Sequence, residues 1–170
     1  IPAFAAEPAA ALAPRDGAAS VDATFGAGGY TRALLASADC RVLGLDRDPD
    51  AAPRAAALAT QHPARFAFRP GRFAEMERLA ADAGFAPADG VAMDLGVSSP
   101  QLDQAERGFS FMRDGPLDMR MDKTGATAAD IVNGWDEAAL AKLFFELGEE
   151  RASRAAARAI CANRPFHRTG

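Results

Sequence analysis

Short apolar runs alternate with longer stretches of mixed character through the first half of the chain. Ala19–Thr24, Arg41–Leu45, Arg65–Arg69 and Gly90–Leu95 have the length and content of strands. Between them, Tyr30–Ala38, Pro49–Thr60 and Phe73–Ala83 are alanine-rich and suited to helix, because alanine gives up no side-chain freedom there. This alternation predicts a parallel sheet with right-handed crossovers, hence an α/β fold. The pattern stops near Asp103. From Gln104 to Lys123 the chain is dense in Gly, Pro, Asp and Arg and reads as an irregular but ordered loop. Thr127–Leu147 and Glu149–Ala162 then read as two helices. Four parallel strands make only part of an open sheet, with the last of them an edge. The expected organisation is therefore residues 1–103 as the first part of one domain. Residues 104–170 would be an ordered loop and the start of an inserted helical domain, with later strands absent from the given chain.

Bulk properties narrow the class. With 170 residues, 49% hydrophobic and 25% charged, the balance is that of a globular protein with one sizeable core. No run approaches the roughly eighteen apolar residues of a membrane span. The opening Ile1–Ala13 is interrupted by Pro2, Glu7 and Pro8 and has no basic flank, which argues against a signal peptide. Cys40 and Cys161 are far apart, fit no zinc or disulfide spacing, and read as reduced thiols of a cytoplasmic protein. The net charge of −4 taken alone disfavours a nucleic-acid partner. Its distribution changes the picture, since no acid follows Glu150 while Arg151, Arg154, Arg158, Arg164 and Arg168 do. Arg151, Arg154 and Arg158 fall at helical spacing and suit either a solvated face or contacts to phosphates. The chain begins without methionine and stops at Arg168-Thr169-Gly170, directly after a helix-like stretch; the expectation is a piece of a longer protein.

The sharpest local signal is Val21-Asp22-Ala23-Thr24-Phe25-Gly26-Ala27-Gly28-Gly29, a strand running into a glycine turn and then a helix. Glycines there allow a tight turn and bring backbone amides close to a ligand. The second strand ends at Asp46, where Rossmann-like sites bind a ribose hydroxyl pair. This much leaves NAD and S-adenosylmethionine both open, and a ligand-free structural turn as well. The dinucleotide fingerprint places its third glycine where this chain has Thr31. Asp22 before the turn suits an ammonium and a sulfonium better than a pyrophosphate, which favours S-adenosylmethionine. The third strand leads into Pro70-Gly71-Arg72-Phe73, beside the ligand crevice of a doubly wound sheet. Phe73 suits an adenine face or, equally, plain core packing with Met76 and Leu79.

The fourth strand ends in Met93-Asp94-Leu95-Gly96-Val97-Ser98-Ser99-Pro100-Gln101-Leu102-Asp103. Glu106-Arg107-Gly108-Phe109-Ser110-Phe111 and Asp114-Gly115-Pro116-Leu117-Asp118-Met119-Arg120-Met121-Asp122 follow. These segments closely resemble the MraW/RsmH family of ribosomal RNA methyltransferases, and the resemblance extends to Ile1-Pro2 and Gly148-Glu149-Glu150-Arg151. It implies a class I methyltransferase domain with an inserted helical domain for substrate binding. It further implies methyl transfer from S-adenosylmethionine to N4 of a cytidine in the decoding region of 16S ribosomal RNA, within the small ribosomal subunit. Carried over by residue, it puts cofactor contacts on Gly29, Tyr30, Thr31, Asp46, Phe73, Asp94 and Gln101. Two departures stand out. Many relatives have histidine at the place of Tyr30, and members run on well beyond Gly170.

The chemistry of such a reaction sets its own demands. A cytosine amine is a poor nucleophile because its lone pair is delocalised into the ring. An acceptor at its N–H localises that pair as the methyl group arrives, an effect of position and charge. Asp94, Ser98 and Ser99 stand where such an acceptor belongs and are the candidate catalytic residues. Turn and cap chemistry is the plainer alternative for the two serines. Amino-methyltransferases of DNA carry two prolines and an aromatic here, so stacking on the target base falls to Phe109 or Phe111. Asp118 and Arg120 read first as a structural ion pair. A binding module that assists ribosome assembly without catalysis, and an NAD-dependent oxidoreductase, are the competing functions. The intact glycine turn, Asp46 and Asp94 favour the enzyme, and the chain has no evident hydride-transfer acid or base.

Overall fold

The computed structural model describes residues 10–170; Ile1-Pro2 and most of the alanine-rich opening Ile1–Ala13 lie outside them. The chain divides into two compact units, the first ending at Ser98 and the second running from Ser99 to Gly170.

The first unit is built on a parallel sheet of β1 (Ala19–Asp22), β2 (Arg41–Asp46), β3 (Phe66–Pro70) and β4 (Gly90–Ala92), in the order β3-β2-β1-β4. The crossovers are α1 (Gly29–Ser37), α2 (Ala51–Gln61) and α3 (Met76–Asp82), the last preceded by a 3-10 turn at Phe73–Glu75. Central strands of a covered parallel sheet read as continuous apolar runs, and β1 and β2 are buried almost throughout. One layer of core joins Leu34, Leu35 and Val42 to Leu58 and Phe66, and the other joins Val21, Leu43 and Leu45 to Leu79 and Phe85. Phe25 stacks on Phe66 with ring centroids 5.5 Å apart. This is a Rossmann-like α/β arrangement, as the alternation of strands and helices predicts.

β4 is shorter than its sequence suggests. Pairing ends at Ala92, although the apolar run continues to Leu95. Met93 and Leu95 are exposed, so their apolar character contributes nothing to a ladder. Since β1 lies between β2 and β4 and all strands are parallel, the tips carrying Asp46 and Asp94 meet at the same edge as the glycine turn.

The second unit holds α4 (Ser99–Asp103), a 3-10 turn (Ala105–Arg107), α5 (Ala128–Gly134), α6 (Glu137–Gly148) and α7 (Ser153–Ala162). The single helix expected over Thr127–Leu147 is two. Trp135 turns extended, and Asp136 starts a new helix by accepting the Ala139 N–H at 2.7 Å. Thr127 and Asp130 form a capping box on α5, so each helix has its own start signal. The helix expected from Glu149 begins only at Ser153: Glu149 is left-handed (φ 51°) and closes α6, and Glu150 accepts the Ala152 N–H. Arg151 therefore sits in a turn rather than on the helix. Among the described residues no helix is long and apolar enough to cross a membrane.

The loop between α4 and α5 is ordered by backbone packed on backbone. A Cβ on Gly115 would lie 1.8 Å from the Ala105 carbonyl oxygen, and one on Gly108 would lie 2.4 Å from that of Pro116. Arg107, buried, donates to the carbonyls of Arg120 (3.1 Å) and Met121 (3.0 Å). The ion pair expected of Asp118 and Arg120 is present at 2.6 Å, and it holds the Asp118 carboxyl below its usual range.

Candidate active site

β1 delivers the chain into the glycine turn, and several bonds hold that turn in place. Phe25 N–H donates to the Leu45 carbonyl at 2.8 Å and Gly28 N–H to the Phe25 carbonyl at 2.6 Å. Gly28 is left-handed (φ 77°), and a Cβ there would come within 2.8 Å of the Phe25 ring. Only glycine meets both constraints. Arg54 donates to the Gly26 carbonyl at 3.1 Å and Arg32 to that of Ala27 at 2.6 Å. α1 starts at Gly29, where the first amides of a helix have no intrahelical partner and suit a polar ligand.

Asp46, half-buried at the tip of β2, accepts the Gly26 N–H at 2.6 Å on Oδ2 and the Asp48 N–H at 2.8 Å on Oδ1. A carboxylate offers about four acceptor sites, so each oxygen keeps capacity for a hydroxyl of a vicinal diol. Phe73 lies 45% exposed on its 3-10 turn, which removes plain core packing as its role; Leu79 fills the core instead.

Asp94 is exposed, two residues beyond β4. Its N–H donates to Thr24 Oγ1 at 2.7 Å, and the Tyr30 hydroxyl donates to its Oδ2 at 3.3 Å. Burial first, and the Asp94 charge second, push the Tyr30 phenol above its ordinary value. Ser98 closes the same loop, its Cβ 3.7 Å from where a Cβ on Gly26 would stand. Met93, Leu95 and Val97 are exposed along this loop. The first unit thus gathers Gly29, Tyr30, Asp46, Asp94 and Ser98 around one turn at one sheet edge.

Other predicted residues are placed differently. Thr31 is fully buried, its N–H and hydroxyl both directed to Asp22. Asp22 is itself 0% exposed, so it meets no ligand ammonium directly, contrary to the reading of the turn from sequence. Ser99 and Gln101 stand on α4, the first helix of the second unit, Ser99 exposed and Gln101 buried. Phe109 and Phe111 line an apolar pocket of about 370 Å³ in that unit, with Met119, Ile160 and Phe166. The arginines divide: Arg164 donates to the carbonyls of Val132 (2.6 Å) and Trp135, Arg168 pairs with Asp114 at 2.7 Å, and Arg158 lies 3.6 Å from Glu137. Arg154 is exposed on α7. The sequence reading missed the roles of Thr24 and Arg54. The spacing of Thr24 from the glycines marks it as part of the turn, but no pattern indicated its bond to residue 94.

Comparison with known proteins agrees with this architecture. A family model described as the MraW methylase family matches residues 1–170. Ribosomal RNA small subunit methyltransferase H of Parvibaculum lavamentivorans is 56% identical over 172 residues, covering 99% of this chain and 51% of that protein. The protein of the same name from Rhodospirillum centenum is 58% identical, covering 99% of this chain and 52% of the relative. That of Rhodospirillum rubrum is 57% identical over 162 residues, with 94% and 50% covered. The chain spans about half the length of these curated relatives. Its match to the family along the whole of its own length shows that the chain belongs to the MraW methylase family.

Proposed function

We propose that this chain carries the cofactor side of an S-adenosylmethionine-dependent methyltransferase acting on small-subunit ribosomal RNA, with N4 of a cytidine in the decoding region of 16S RNA as the acceptor. The single observation that carries the reading is the convergence of the glycine turn, Asp46 and Asp94 at one edge of a parallel sheet. The names of the relatives support the RNA substrate. A ribosomal substrate fits a cytoplasmic protein, the location expected from the sequence.

The donor set suits the cofactor. Asp46 keeps acceptor sites for a ribose diol, the Gly29 and Tyr30 amides at the start of α1 suit polar groups of the cofactor, and Phe73 offers an exposed ring for an adenine. Bound S-adenosylmethionine supplies an activated methyl group on a sulfonium centre. Asp94 then serves the acceptor side: its carboxylate accepts a hydrogen bond from the N–H of the incoming amine, which localises the lone pair on nitrogen. The same carboxylate can take the proton that nitrogen sheds as its bond to the methyl group forms and the sulfur–methyl bond breaks. Tyr30 holds that carboxylate from the side, and Ser98 adds a hydroxyl to the same loop. Gln101 keeps the cofactor-side role that the resemblance implies, and Ser99 remains a candidate acceptor from the chemistry of the reaction alone.

Mass spectrometry of small-subunit ribosomal RNA from cells with and without the full-length gene tests the reading. The expected result is loss of the N4 methyl group from one cytidine. An unchanged pattern of modified cytidines overturns it.

A further inference from the structure

The carboxylate beneath the glycine turn meets no solvent, yet its oxygens take three donors. Asp22 Oδ2 accepts the Thr31 hydroxyl at 2.7 Å and the Thr31 N–H at 3.2 Å, and Oδ1 accepts the Thr24 N–H at a longer 3.4 Å. Both threonines lead to one place. Thr24 Oγ1 accepts the Asp94 N–H at 2.7 Å. Tyr30, bonded in sequence to Thr31, donates its hydroxyl to Asp94 Oδ2 at 3.3 Å. Asp22, Thr24, Asp94, Tyr30 and Thr31 therefore form a closed ring of alternating covalent and hydrogen-bonded links, with Asp22 at the buried end and Asp94 at the exposed end.

We propose that Asp22 is a positioning residue, which fixes Asp94 from inside the core through Thr24 on one side and Thr31–Tyr30 on the other. The proposal rests on the reading of Asp94 as the group that faces the incoming amine. Asp94 needs such support because it lies beyond the last paired residue of β4 and has no ladder bonds to set its height. The Thr24 arm holds its backbone, the Tyr30 arm holds its side chain, and together they limit both place and orientation. A buried carboxylate costs folding energy unless several donors satisfy it, and core packing alone would be served better by an apolar residue. Burial pushes Asp22 up to about 6, with the Asp46 charge a minor contribution in the same direction and the threonine bonds opposing both.

Tyr30 reports on the ring, since the Asp94 carboxylate beside it helps to raise its phenol. In the full-length protein with ring-labelled tyrosine, carbon NMR follows that titration, and Tyr30→Phe identifies the resonance. Asp94→Asn removes the neighbouring charge and should bring the titration down towards the ordinary tyrosine value. Thr31→Val should bring it down as well, while Thr31→Ser, which keeps the hydroxyl, should leave it where it was. Asp22→Asn should also lower it, but the Asp22 charge itself helps to raise the phenol, so the pair at position 31 carries the test of positioning. The proposal is overturned if Thr31→Val keeps the raised titration, if Thr31→Ser behaves like valine, or if Asp94→Asn changes nothing. Should Asp22→Asn fail to fold, the valine and serine pair at position 31 decides. Turnover of Asp94→Ala scores the catalytic reading separately: a fully active variant removes the chemical role of Asp94, and the titration still decides whether Asp22 positions it.

Discussion

The Gly26 N–H donates to Asp46 Oδ2 at 2.6 Å, joining the glycine turn that follows β1 to the tip of β2 across the sheet edge. One carboxylate therefore shapes the turn and, in the proposed function, binds the ribose. Asp46→Ala should weaken S-adenosylmethionine binding by about 1.5–3 kcal/mol, the range for a hydrogen bond to a charged group. Titration calorimetry on the full-length protein measures it, and an unchanged affinity would sink the ribose assignment.

Asp94→Ala in the full-length enzyme should slow methylation of small subunits by about a hundredfold or more, as when one preorganised electrostatic group is lost. Asp94→Asn separates two ways of acting: a mild defect means positioning by hydrogen bonds, and a severe one means that the charge is required. Near-normal turnover of Asp94→Ala would place the chemistry elsewhere.

Asp22 makes stability depend on pH in a direction opposite to that of a paired surface acid. Its carboxyl is raised from 3.8 to about 6 by burial, so between those values the folded chain keeps a proton that the unfolded chain has released. The stabilisation this gives is complete below 3.8, is lost as pH rises through 6, and amounts to roughly 3 kcal/mol. Asp22→Asn, neutral throughout, should lack this dependence. Urea midpoints of both proteins from about pH 4 to 7 compare them, and parallel curves would contradict the assignment.

Arg164 and Arg154 should fail in different assays. Arg164 donates to two backbone carbonyls at the end of α5, and Arg164→Ala should cost about 1–3 kcal/mol of stability by leaving them without that partner. Arg154 is exposed on α7. Arg154→Ala should leave the melting temperature unchanged, weaken RNA binding modestly, and flatten its salt dependence by about one phosphate contact. Equal RNA affinity and an equal salt slope would reduce Arg154 to a solvated surface residue.

Much of the first unit was legible because its signals are local. The runs around Val21 and Leu43, the glycines between them and the acid at position 46 all belong to one strand–turn–helix pattern. The break at Trp135–Asp136 escaped notice because Ala128, Ala129, Ala138 and Ala139 continue the helical composition across it. Only the N-cap spacing from Asp136 to Ala139 marks the restart. Asp22 was misplaced for a different reason. Whether an acid at a strand tip faces the ligand or the core depends on where Thr31 returns after the turn, and that is set by tertiary packing. Phe73 shows the converse, an aromatic in an amphipathic pattern that the fold leaves exposed.

The loop held by Gly108, Gly115 and Arg107 has a consequence for how this protein varies over generations. Where backbone rests on backbone, no side chain is available to shrink, swing aside or be exchanged for a neighbour of similar volume. A first replacement at Gly115 meets a wall 1.8 Å away and has no second-site remedy short of moving the main chain. Most cores drift through pairs of compensating substitutions. This loop has no such path, so its form is inherited whole or lost.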